Sequence, residues 1–178
     1  MNIFLLSWCI NECVKFHFDR HVVKMILEYA QLLSTTHWVL DSSEEHLEEW
    51  KKNGLIYKST HVNHPCAIWV REHINNYRFL VNLAKSLCEE YYFRYGMEKN
   101  KRHKTERIID HLMKNEPKNF LKTNKKLIGV HNVTEPSQAM PENYKNPDVI
   151  EAYRNYYCGE EKGHLANWKK REEPDWFY

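Results

Sequence analysis

Between His17 and Gln31 the chain reads HFDRHVVKMILEYAQ. His17, His21, Lys24, Glu28 and Gln31 follow one another at steps of four, three, four and three residues, so on a helix they share one face. Around them stand Val22, Val23, Met25, Ile26, Leu27, Tyr29, Ala30, Leu32 and Leu33. A surface helix carries an apolar stripe on a polar cylinder, and this segment reverses that arrangement. The pattern predicts a largely buried helix with one sheltered polar line. Ionisable groups are tolerated inside a protein when they are paired or hydrogen-bonded. A sheltered cleft that shifts their protonation is a reason to keep them. Glu28, Lys24 and His21 would bring together a carboxylate, an ammonium and an imidazole. The plainer reading is an internal Lys24–Glu28 pair, with His21 bonded to a backbone carbonyl.

The rest of the chain reads as helical. Asn11 to Leu40 contains no Gly or Pro and forms one long helical candidate. A short helix follows in DSSEEHLEEWKKNG, with Ser42 and Glu45 spaced as a capping box and Gly54 as the stop. Pro65 opens a further helix that runs to Tyr95 and closes at Gly96, with Asn75 and Asn76 offering a break. KTERIIDHLMKN and PDVIEAYRNYYCG are two more, the latter bounded by Pro147 and Gly159. Residues 116–145 carry Pro117, Gly129, Pro136 and Pro141 and read as one long irregular loop. With only 5 Gly in 178 residues and no repeat or linker, residues 1–178 read as a single all-α domain.

The net charge of +2 says little about partners. Basic clusters occur in KNKRHK (99–104), KTNKK (122–126) and WKKRE near the end. Such runs are ordinarily solvated surface, and a phosphate footprint is their functional alternative. The five Cys are an odd number, and MNIFLLSWCI is too short and too uncharged at its start for a membrane span or leader. Reduced thiols, no membrane association and an intracellular location are expected. Cys9, Cys13, His17 and His21 fall at four-residue steps, but strung along one helix they cannot surround one ion. A metal site would need two of them with His61 and His64. No metal or other cofactor is expected, and a metal-dependent hydrolase stands as the minor alternative.

Three further stretches carry candidate ligand contacts. YKSTHVNHP places His61 and His64 before a helix start, where backbone N–H groups favour an anion; capping by Asn63 is the structural reading. In YRNYY, Tyr153 and Tyr157 suit the core, leaving Arg154 and Tyr156 for ligand or solvent. The end, NWKKREEPDWFY, mixes Lys169, Lys170 and Arg171 with Trp168 and Trp176; it suits DNA, and equally a tail docked on the core. Gln138, in the TEPSQAMPENYK loop, can pair with a base or with a backbone edge.

The runs DRHVVKMILEYAQ, THVNHPCAIW, SQAMP, YRNYY and PDWF resemble an uncharacterised family of tailed phages and large DNA viruses, marseilleviruses among them. At greater distance, Asp19, His21 and Glu28 match the D-x-H pattern with a following Glu of the endonuclease V type pyrimidine-dimer DNA glycosylases. NNYRFLVNLAKSLCEEYYFRYG and REEPDWFY are similar to that family's Tyr-rich helix and aromatic C-terminus. The resemblance implies a pyrimidine-dimer-glycosylase-like fold and a DNA glycosylase/AP lyase acting on double-stranded DNA in an infected cell, in cytoplasm or nucleus, or in the virion. It implies an amine nucleophile, here that of Met1, because Asn2 follows it. Glu28 would be the acid/base and electrostatic stabiliser, His21 its partner, and Lys24 a second nucleophile or phosphate contact. His17, Gln31, His61, His64, Arg154, Lys169, Lys170 and Trp176 would face nucleic acid. Leu27 and Gln31 stand where that family carries Arg, which matches the other reading of the scaffold: a catalytically inactive module for viral DNA or a protein partner.

Overall fold

The computed structural model describes every residue from Met1 to Tyr178. Its axis is a helix pair, α2 (Asp19–Leu40) packed along α5 (Ile74–Tyr91). α1 (Ile10–Phe16) and α6 (Glu106–Lys114) pack on α5, and α4 (Pro65–Glu72) wedges against both members of the pair. α3 (His46–Lys52), α7 (Val149–Cys158) and the one-turn α8 (Glu160–Gly163) complete an all-α architecture. One apolar cluster of 37 buried residues runs through all of it except α8. Residues 116–145 are irregular as expected, apart from one isolated bridge between Ile128 and Val133 and a 3₁₀ turn at Glu142–Tyr144.

The long helical candidate at Asn11–Leu40 is two helices, broken at His17 and Phe18 without Gly or Pro. The break is made from a distance. Arg94, with no exposed surface, donates to the Lys15 and His17 carbonyls at 2.8 and 2.9 Å, and to Asp19 and Glu90. The Asp19 N–H donates to Asn167 O, and its carboxylate accepts from the Lys169 N–H. The end of α1 thus finds partners other than the next helical turn.

The second long candidate is also divided. His73 is extended between α4 and α5, and its imidazole accepts from the Asn75 N–H. The chain beyond α5 continues as a π-helical turn, Tyr92–Gly96, and a 3₁₀ turn, Met97–Lys99, so the helical backbone runs past the stop expected at Gly96 and ends at Asn100, in the left-handed region at φ 45°. The Ser42–Glu45 capping box does not form: Ser42 is exposed, and Glu45 precedes α3 without a side-chain cap. α7 is capped by Asp148, which accepts from the Ile150 and Glu151 N–H groups.

Before α1 the chain is extended and threaded into the interior. Ile3, Phe4, Leu5 and Leu6 are all buried. Asn2 anchors the segment, donating to Ala139 O at 2.8 Å and accepting from the Tyr153 hydroxyl at 2.8 Å. Gln138 closes the loop behind it through both backbone groups of Asn146, so its amide is committed to a backbone edge.

Candidate functional site

The threading of residues 1–6 delivers the Met1 amine to α2, where its nitrogen lies 3.9 Å from Glu28 Oε2. The other carboxylate oxygen of Glu28 receives Lys24 Nζ at 3.2 Å. Glu28 is 12% exposed and Lys24 68% exposed, so the carboxylate sits inside the mouth and the ammonium on its rim. Together with His21, Phe4, Tyr156 and Lys162 they line a cleft of about 190 Å³. Met1, His21, Lys24 and Glu28, the four candidates for catalysis, therefore meet in one cavity.

The polar line of α2 is not uniformly buried. Val23 is 41% and Leu27 37% exposed, so the helix keeps a solvent face that is partly apolar. His17 lies at the opposite extreme. It has no exposed surface, and its ring bonds Cys13 O at 2.7 Å and the Tyr29 hydroxyl at 3.2 Å. Its Nδ1–H donates to the carbonyl, leaving Nε2 to accept from Tyr29. Burial lowers its pKa to about 4, and it has no route to a nucleic acid. Gln31 is half-buried one turn beyond Glu28.

His21 lies flat on Phe4, ring centroids 4.4 Å apart, with Nδ1 2.6 Å from the Tyr157 hydroxyl. Burial lowers its pKa to about 3, helped by the positive charge of Lys162 and Lys24. It is thus a neutral wall of the cleft with one nitrogen already engaged. His21 bonds a tyrosine side chain rather than the backbone carbonyl of the plainer reading.

Neither His61 nor His64 lines this cleft. His64 caps α4, accepting from the Cys66 N–H, so the cap expected of Asn63 falls to its neighbour. Burial and then the charge of the Met1 amine lower the His64 pKa, while Glu28 opposes the shift. His61 is exposed, in the left-handed region at φ 50°, bonded to the Thr60 hydroxyl.

The remaining candidates are elsewhere, Arg154 on α7 and Lys169, Lys170 and Trp176 in a docked tail. Arg154 donates to Leu6 O and covers the Trp176 ring at 5.1 Å. Trp176 packs edge-on to Phe16. Lys169 gives its backbone N–H to Asp19 and its ammonium to the face of Tyr95, and Lys170 Nζ reaches Glu98 at 3.3 Å. Asp19 is nine residues before Glu28, about 13 Å along the helix, so this group and the cleft are separate. Arg171, bidentate on Glu90, belongs to the same seal.

Compared with known protein families, curated proteins and solved structures, the chain matches none. No three His, Cys, Asp or Glu side chains are disposed to hold a metal ion, and the Cys9–His21 run is dispersed. Cys13 bonds Phe4 O and the Leu6 N–H, His17 faces Tyr29, and Cys9 is exposed. All five thiols are free, and no helix is long and apolar enough to cross a membrane.

Sequence reasoning missed Lys162. It belongs to a four-residue helix with no periodicity to read, and only the tertiary fold brings it opposite Glu28. The cleft therefore holds three amines around one carboxylate, an excess of positive charge suited to a phosphate-bearing ligand. An amine beside a carboxylate can attack an electrophilic carbon while the carboxylate takes and returns protons.

Proposed function

We propose that this cleft is the active centre of a DNA glycosylase/AP lyase of a phage or DNA virus, acting on damaged or modified bases in duplex DNA. The observation that supports it is the Met1 amine 3.9 Å from Glu28, inside a cleft rather than in open solvent. That amine would attack C1′ of the deoxyribose as the base departs. Glu28 would stabilise the cationic sugar and relay protons, and the resulting imine would permit β-elimination of the strand. His21, already bonded to Tyr157, would hold the wall of the cleft rather than transfer protons. The target nucleotide or its partner must leave the stack to enter.

The test is covalent capture. Duplexes carrying an abasic site, a thymine dimer or uracil are incubated with the protein and borohydride. A protein–DNA adduct is expected, slowed about 10²–10⁴-fold in Glu28→Gln, with intact-mass analysis showing a free Met1 amine. No adduct with any duplex would overturn the reading.

A second reading, a non-catalytic module for viral DNA or a protein partner, draws on the exposed Val23 and Leu27 beside the cleft. These present apolar surface where a DNA enzyme gains from cations. Salt-sensitive DNA binding without an adduct, or binding to protein alone, would favour it.

A further inference from the structure

The cleft has three amines, and their surroundings differ. The Met1 amine and Lys24 share the two oxygens of Glu28. The Lys162 ammonium has neither an ion pair nor a hydrogen bond; its Nζ lies over the rings of Tyr156 and Phe4, 5.2 and 6.0 Å from their centroids. It is half-buried and lines the same cavity as Glu28. A phosphate contact is best served by a well-hydrated ammonium on the rim, which describes Lys24. An amine pressed against aromatic faces, short of water and beside other cations, is better suited to nucleophilic attack.

We infer that Lys162, not Lys24, is the second carbonyl-condensing amine of this cleft, taking aldehydes of the class presented by the ring-opened sugar of an abasic site. The inference rests on the reading of the cleft as an imine-forming centre and extends it to α8. Burial, and secondarily Lys24, lower the Lys162 pKa, with Glu28 and Glu161 opposing, which is the direction nucleophilicity requires.

The step balances within the cleft. The Lys162 ammonium, which makes no direct contact with Glu28, gives a proton to that carboxylate through a water molecule entering the cleft. The free amine forms a bond to the aldehyde carbon as the C=O π pair moves to oxygen. A proton passes from that nitrogen to the oxygen, giving a carbinolamine. Glu28 then returns its proton to the hydroxyl, water leaves, and the nitrogen lone pair closes the protonated imine. One ammonium and one aldehyde become one iminium and one water.

Pyridoxal 5′-phosphate, an aldehyde that carries a phosphate, serves as the probe. The full chain is incubated with it near neutral pH, reduced with borohydride and mapped by peptide mass spectrometry. Lys162 is expected to be the most heavily labelled amine. The label is expected to vanish from that peptide in Lys162→Arg, which keeps the cation over the two rings, and to persist in Lys24→Arg. Label distributed over the exposed lysines, or confined to Met1, would overturn the inference, and the wild-type map alone suffices to decide. Lys162 label without any adduct to abasic duplex would remove the DNA reading and leave this one. An abasic-DNA adduct at Met1 with Lys162 unlabelled would do the reverse.

Discussion

His17 and His21 should make this fold acid-labile well above the range in which carboxylates titrate. Both are buried and neutral, with pKa values of about 4 and about 3 against an ordinary 6.5. The unfolded chain therefore binds more protons than the folded one across this interval. Stability is fully present above about pH 6.5 and falls as pH descends toward the two folded values. Each proton so linked changes stability by up to about 1.4 kcal/mol per pH unit, so the pair contributes up to about 2.7. Integrated from pH 7 to pH 5, the two imidazoles remove about 3–4 kcal/mol, a large part of the roughly 5–15 kcal/mol typical of a domain. Guanidinium unfolding at pH 7 and pH 5 measures the loss. His17→Gln and His21→Gln each lower stability at pH 7, since each breaks a hydrogen bond to Tyr29 or Tyr157. Yet each should shrink the difference between pH 7 and pH 5 by about 2 kcal/mol. A double variant whose pH dependence ran parallel to the wild type, within about 0.5 kcal/mol, would refute the reasoning.

Arg94→Met removes the donor to two carbonyls and two carboxylates in the interior; a loss of about 3–5 kcal/mol is expected, seen as a fall in Tm of roughly 6–20 °C. A loss below about 1 kcal/mol would show that Arg171 and Lys169 hold Glu90 and Asp19 unaided. Gly96→Ala places a methyl group against the Lys101 carbonyl and the Tyr92 ring, and should cost about 1–3 kcal/mol in chemical unfolding; a neutral result would mean that the π-helical turn yields. Lys24→Ala, by contrast, removes a mostly exposed ammonium and should change stability by less than about 1 kcal/mol. Under the proposed function its adduct with abasic DNA should form at nearly the wild-type rate while DNA binding weakens, and abolition of the adduct would give Lys24 the role assigned here to Lys162.

The helices were legible because their signals are local. Pro65 at the first position of α4 and the apolar spacing of α5 lie within the elements they control. The break at His17 and Phe18 was not legible, because Arg94 and Lys169 cause it from 75 and 150 residues away from Asp19. The same division applies to the cleft. Lys24 and Glu28 are one helical turn apart, and the step between them is written in the sequence. Lys162 reaches them only after α7 has docked, and no spacing announces it. His17 shared the face of His21 on paper; the break before Asp19 turns it into the interior, where Tyr29 takes it up. The aromatic, basic end of the chain was open between DNA contact and seal, and its hydrogen bonds to Asp19, Glu90 and Phe16 make it a seal.

The extended residues ahead of α1 have a consequence for how the molecule is made. Asn2 is held by Ala139 and Tyr153, across 137 and 151 residues of chain, and the carbonyl of Phe16 by Trp168 across 152. During synthesis these residues emerge with their apolar side chains unpartnered and must wait for Ala139, Tyr153 and Trp168 before the interior can shut. α2, α4, α5 and α6 can associate on the ribosome, but the cleft waits for Tyr156 and Lys162, and closes as a clasp between segments more than 130 residues apart.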